Sequence, residues 1–140
     1  MEKEDKKLLL LDLSGRLTYG VKVSLQYGGK QLTGVLDAVY PTEERVIVDE
    51  LSEAIAPIDV RCGGFKLDES NIMPYLRPMS SMTEEEAKEY NELCGCNAPY
   101  PGIVEEAVAK FMDWLNAHHF DYRGLIEKGL ALEAPEGMYD

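Results

Sequence analysis

The run His118-His119-Phe120-Asp121-Tyr122-Arg123 gathers the chain's only two histidines beside a carboxylate, a phenol and a guanidinium. Imidazole titrates near neutral pH, and a neighbouring acid or phenol can orient it, so this is raw material for general acid–base chemistry. The second reactive stretch is Cys94-Gly95-Cys96, with one further thiol at Cys62. Thiolates and imidazoles are also the soft ligands of zinc sites. Three chemistries therefore compete: an acid–base centre, a metal centre and a thiol redox pair.

Spacing argues against the metal centre. Adjacent residues on a helix point ~100° apart, so His118 and His119 do not reach one ion as an i,i+4 pair does. A C-x-C pair is tighter than the usual zinc spacing, and no second close pair completes four ligands around Cys94, Cys96 and His118. Redox chemistry needs a lowered thiol pKa, yet no cation lies close in sequence to Cys94 or Cys96, and Glu89 and Glu92 act the other way. The odd number of cysteines leaves no complete disulfide framework and fits a reducing, cytoplasmic compartment. The chain contains no G-x-S-x-G, no P-loop and no G-x-G-x-x-G. No cofactor and no metal are expected, and the chain reads as a non-enzyme.

These residues depend on the elements that hold them. Residues 3–14 carry Leu8, Leu9, Leu11 and Leu13 at helical spacing, with Gly15 as the stop. The period then changes to two. Val21, Val23, Leu25 and Tyr27 share one face, Gly28-Gly29 marks a hairpin turn, and the return strand carries Leu32, Leu36 and Ala38. Gly34 inside that strand suggests a bulge or sharp bend. Arg45–Glu50 reads as a third strand, and Pro57–Arg61 with Phe65–Asp68 as a second hairpin. Pro74 and Pro78 restrict the next segment to a short edge strand. The expected class is α+β: an N-terminal helix, a small bent SH3-like or Sm-like barrel of four or five short strands, then two helices and an irregular tail. Residues 1–80 form the barrel part, and 81–140 form a helical extension packed on it as one structural unit.

In the second half, Thr83 and Glu86 make a T-x-x-E capping box, and Glu84–Glu86 complement the positive end of the helix dipole. On the following helix, residues 103–118, Val104, Val108, Phe111 and Leu115 form an apolar seam that His118 prolongs, with His119 on its edge. Asp121 to Gly124 reads as the helix exit. That leaves His119 and Tyr122 as the members of the cluster free to meet a ligand. Arg123, Tyr75 and Tyr100 join them as candidate contacts, and Tyr19 and Trp114 are further exposed-aromatic candidates, core packing being the competing reading for Trp114.

Charge is uneven. Residues 1–80 hold 10 Lys+Arg against 13 Asp+Glu, and residues 81–140 hold 4 against 13, within a total of -12. Such a surface repels phosphate backbones, so nucleic-acid binding is not expected; a barrel face would have only Lys22, Lys30, Arg45, Arg61 and Lys66 to supply it. The apolar run Leu8–Leu11 is too short for a secretory signal, and nothing approaches the ~20 apolar residues of a membrane span.

Two segments, "MPYLRPMSSMTEEEAKEY" and "FMDWLNAHHFDYRGLIEKGLALEAPEGMY", cover about a third of the chain. They resemble stretches of small uncharacterised proteins encoded by gut anaerobic bacteria and their phages or mobile elements. That resemblance implies kinship and carries no activity. "VKVSLQYGGKQLTGVLDAV" resembles the first half of an Sm-type domain, without the second half or its RNA-facing residues. The expected function is an interaction or accessory protein that binds another protein or a second copy of itself. The alternatives are an acidic nucleic-acid mimic that blocks a host nuclease, and a small enzyme using His119 with Asp121 or Tyr122.

Overall fold

The computed structural model describes residues 2–53, 64–93 and 104–139. Helix α1 (Lys3–Arg16) leads through a 3-10 turn (Leu17–Tyr19) into strands β1 (Lys22–Tyr27), β2 (Lys30–Tyr40) and β3 (Arg45–Asp49). Strand β4 (Phe65–Lys66), one helical turn α2 (Leu67–Ser70) and strand β5 (Met73–Leu76) follow. Helices α3 (Glu84–Leu93) and α4 (Val104–Ala117) precede a turn-rich tail that ends in strand β6 (Leu132–Glu133).

The strands form one six-stranded sheet in the order β4-β3-β2-β1-β5-β6. It is antiparallel except for the parallel β5–β6 pair, and it stays open. The class is α+β, as the alternation of periods predicts, but the expected closed barrel is not what forms. Closure requires the end strands to meet, and here β4 and β6 lie at opposite edges. The segment expected at an edge, β5, is interior. Pro74 is tolerated there because it pairs with Val23 on the β1 side, and β6 joins only at Tyr75.

Burial follows the two-residue period where pairing is regular. Val21, Val23 and Leu25 are fully buried, joined by Leu32, Leu36, Val46 and Val48. Helix α1 lays Leu9, Leu10 and Leu13 on this layer, with Leu67, Ile72, Leu76, Leu125 and Leu130 completing one cluster. α1 runs past Gly15 to Arg16, and the chain breaks direction at Gly20, which is left-handed with φ +68°. Extension by two residues is what lets Arg16 reach Asp12 at i,i+4.

The bulge lies in β2, but not at Gly34. Register slips between Leu36 and Ala38, so that Asp37 has no partner and the alternation changes phase after it. Gly34 has a different duty. A Cβ there would stand 2.4 Å from Val48 Cγ1 and 2.7 Å from the Asp49 carbonyl oxygen. The missing side chain allows β3 and Leu51 to close over β2. Replacing Gly34 with Ala is expected to destabilise the fold by about 1–3 kcal/mol through overpacking, read as a lower urea midpoint at unchanged slope. A variant as stable as the parent would refute the close-approach account.

Candidate functional site

α4 ends in a Schellman motif. His119 N–H bonds the Asn116 carbonyl (3.1 Å) and Phe120 N–H bonds the Leu115 carbonyl (3.0 Å). The left-handed position of that motif usually belongs to glycine, and here His119 occupies it with φ +62°. Leu115 and Phe120, the apolar pair that accompanies the motif, are both buried. The left-handed residue takes His119 off the helical wheel and reverses the expected placement of the two rings. His118 is the more open one, with 34% of its side chain exposed, whereas His119 is only 7% exposed.

The chain then makes a single parallel bridge, Phe120 to Arg77, just beyond β5. Arg77 N–H bonds the His119 carbonyl and Asp121 N–H bonds the Arg77 carbonyl, both at 2.8 Å. The opposite edge faces α1, where Arg16 Nη2 donates to the Phe120 carbonyl at 2.7 Å. Arg16 is fully buried and pairs with the equally buried Asp12 through Nε (2.7 Å) and Nη2 (3.2 Å). Arg123 Nε stands 3.2 Å from Asp12 Oδ1, so Arg123 pairs with Asp12 rather than with Asp121. Asp121 instead accepts from the Leu125 and Ile126 N–H groups (2.8 and 3.0 Å) and starts the next turn. The Tyr122 hydroxyl donates to Asn116 Oδ1 at 2.8 Å, and its ring carries Arg16 at 4.9 Å and Arg123 at 5.3 Å. Tyr122 and Arg123, expected at a ligand face, are parts of an internal clamp.

Sequence reasoning missed Tyr139, which completes the cluster. β1 and β5 pair only at Val23–Pro74 and Ser24–Met73 and separate beyond. The Tyr139 hydroxyl bridges that gap, accepting from Lys22 N–H (2.8 Å) and donating to the Tyr75 carbonyl (2.7 Å). Its ring lies on the His119 imidazole, centroids 3.6 Å apart and planes 16° from parallel. Lys22 Nζ holds the Met138 carbonyl at 3.0 Å. Burial, then the charges of Arg16, His118, Arg77 and Lys22, hold the His119 pKa down at about 4. Burial pushes the Tyr139 hydroxyl up to about 12. His119 is thus a neutral ring at pH 7.

Helix α3 docks on the exposed side of the same segment. Its capping box forms as the T-x-x-E spacing predicts, with Glu86 N–H to Thr83 Oγ1 (3.2 Å) and Thr83 N–H to Glu86 Oε1 (2.9 Å). Glu86 also takes both Nη atoms of Arg77 (2.8 and 2.7 Å) and lies 3.1 Å from His118 Nδ1. Arg77 in particular holds the Glu86 carboxyl down at about 2, despite its partial burial. Trp114 donates from Nε1 to Glu89 and stacks between Tyr90, His118 and Phe120.

Tyr75 and Tyr19 are half-buried, and Cys62, Cys94, Cys96, Tyr100, Arg61 and the Pro57–Arg61 strand lie outside the described residues. Of the basic side chains on the sheet, Lys30 pairs with Glu53 and Arg45 with Glu43. Among the described residues, the large apolar side chains that face solvent are Leu11, Tyr40 and Val108. Val108 was expected on the buried seam, but α4 packs mainly through its C-terminal half, where Leu115 and Asn116 are buried. The described residues form two concave surfaces of note. One of about 380 Å³ lies beside Tyr27, Arg45, Phe65 and Lys66. The other, about 540 Å³, lies between Arg77–Glu86 and the tail from Glu133 to Tyr139. Among the described residues no group of three or more His, Cys, Asp and Glu side chains could hold a metal ion. None of their helices is long and apolar enough to cross a membrane.

A comparison with known protein families, with curated proteins and with solved structures found no match to this chain.

The clamp predicts a stability contrast. Asp12→Ala leaves two guanidiniums without their buried counter-charge and is expected to cost about 3–5 kcal/mol in urea unfolding. Glu106→Ala removes an open pair, 3.6 Å from Lys110 with both partners mostly exposed, and is expected to cost less than about 0.5 kcal/mol. Equal effects would overturn the assignment of Asp12 as the anchor.

Proposed function

We propose that this chain is a non-enzymatic interaction or accessory protein that binds another protein or a second copy of itself. We place it with the phage and mobile-element proteins that its two segments resemble. The observation that carries the reading is the division of labour in the 116–123 segment. Its carboxylate, phenol and guanidinium serve internal bonds, and the recess left at the surface is the groove between Arg77–Glu86 and the tail. An enzymatic reading at His119 and Tyr122 draws less support, since the Tyr139 ring covers the first and Asn116 engages the hydroxyl of the second.

The nucleic-acid mimic needs carboxylates aligned at phosphate spacing. Exposed acids instead occur on α1, near the β2–β3 turn, on α3, on α4 and in the tail, and some stand beside lysines, as Glu106 does beside Lys110. The interaction reading is therefore the better supported one.

Light scattering and affinity capture from host lysate test it, followed by charge reversal in the groove. Glu133 and Glu136 are exposed, so Glu133→Lys with Glu136→Lys is expected to leave the unfolding midpoint unchanged. Binding of the captured partner, or self-association, is expected to weaken at least tenfold, about 1.4 kcal/mol. A strict monomer that captures nothing sinks the proposal.

A further inference from the structure

The contacts that close the tail are concentrated in one residue. From Ala134 to Tyr139 every side chain is half-buried or exposed, so the segment contributes little to the apolar core. Its hold on the sheet includes Ala134 N–H on the Leu76 carbonyl, Lys22 on the Met138 carbonyl and over the Tyr139 ring, and the hydroxyl hydrogen bonds and ring stack of Tyr139. A segment with few buried contacts opens at lower free energy than the strands it covers.

The group beneath Tyr139 has no provision for a charge. His119 Nδ1 is buried and has no hydrogen-bond partner. Arg16 faces it from α1, Lys22 from β1 and Arg77 from the end of β5, with a second imidazole, His118, at the α4 exit. The nearby carboxylates are engaged, Asp12 by Arg16 and Arg123, and Asp121 by two backbone N–H groups. Among the described residues of the tail, the group lying on His119 is the Tyr139 ring, which carries no charge, and Glu136 is exposed.

We propose that the segment from Ala134 to Tyr139 is a latch that acid opens: a proton added to His119 expels the Tyr139 ring from the gap between β1 and β5 while the sheet stays folded. The sign follows from linkage. A histidine whose pKa is depressed by the closed latch binds its proton more readily when the latch is open. The closed form is therefore favoured at neutral pH, and that advantage is lost as pH falls from the open-form value, which Arg16, Arg77 and Lys22 hold below the ordinary 6.5, to about 4. Opening frees the Lys22 N–H and the Tyr75 carbonyl, and it brings His119 into contact with water.

Proton-detected NMR of the full chain between pH 7.5 and 3.5 tests this. The His119 ring, the Tyr139 ring and the Lys22 amide are expected to change together, with one midpoint between about 4 and 6.5, while the β1–β2 amides stay protected. The proposal is overturned if His119 titrates with Tyr139 and Lys22 unmoved, or if the β1–β2 amides are lost at the same midpoint. His119→Phe keeps a ring under Tyr139 but removes the titration, and it is expected to hold the latch shut until the sheet itself unfolds. Release in that variant at the parent midpoint overturns the proposal. Should that variant fail to fold, Tyr139→Leu gives the same decision. Without the covering ring, the His119 midpoint is expected to rise at least one pH unit, a tenfold gain in proton affinity, and an unchanged midpoint refutes the latch.

Discussion

The buried Asp12–Arg16 pair is the constraint on which the rest of this structure depends. Arg16 cannot leave the interior, since both members are fully buried and Asp12 already takes two of its nitrogens. One of those two, Nη2, also donates to the carbonyl of Phe120, 104 residues away in sequence, while Nη1 is buried without a hydrogen-bond partner. A charged donor in low dielectric makes that contact stronger than an ordinary hydrogen bond. The contact fixes the α4 exit against α1, and the exit in turn supplies the backbone that pairs with Arg77 beyond β5. Arg123 and the Tyr122 ring then settle around the same two charges. A buried ion pair is weak evidence for net stability, because desolvation opposes its Coulomb energy. Its stronger effect here is on specificity: one guanidinium selects where three distant segments meet.

That meeting point also shapes the middle of the sheet. β1 and β5 separate after two paired residues, and two inserts fill the gap from opposite ends of the helical half. One is the 119–121 backbone, which continues the pairing along Arg77. The other is the Tyr139 hydroxyl, which satisfies one donor and one acceptor where a strand neighbour is missing. Buried backbone groups must find partners, and a side-chain hydroxyl that both accepts and donates can replace a ladder rung. The helical half is therefore more than an extension laid on a finished barrel. It completes the sheet, and β6 is its last contribution.

Legibility in the sequence tracks the range of the interaction. The β1–β2 hairpin, its Gly28-Gly29 turn and its buried face were readable because alternation and turn chemistry are local. So was the Thr83–Glu86 capping box, which is set by a three-residue spacing. Barrel closure was not readable, because it depends on which edges meet. Gly34 was legible as a special position, but its reason, contact with Val48 and Asp49 across the sheet, is tertiary. At the site, the run from His118 to Arg123 was legible as a gathering of titratable side chains. Its partners Asp12, Arg16 and Tyr139 were not, because each lies on a different segment and carries no local motif. The i,i+4 spacing of Asp12 and Arg16 on an otherwise apolar helix face was the one available signal.

The two histidines show how one backbone residue can exchange the roles of neighbours. On a continued helix His118 would prolong the Phe111–Leu115 seam, and His119 would sit at its rim. The left-handed turn at His119 costs roughly 1 kcal/mol for a residue with a Cβ. That turn points the ring away from the helix surface and under Tyr139, and it leaves His118 against Trp114 and Glu86. A glycine would have made the same Schellman turn without strain, but it would leave Tyr139 nothing to stack on. The strain and the aromatic contact therefore belong to a single choice of residue. The same choice puts a neutral imidazole, its Nδ1 buried without a hydrogen-bond partner, beneath the hydroxyl that bridges β1 and β5.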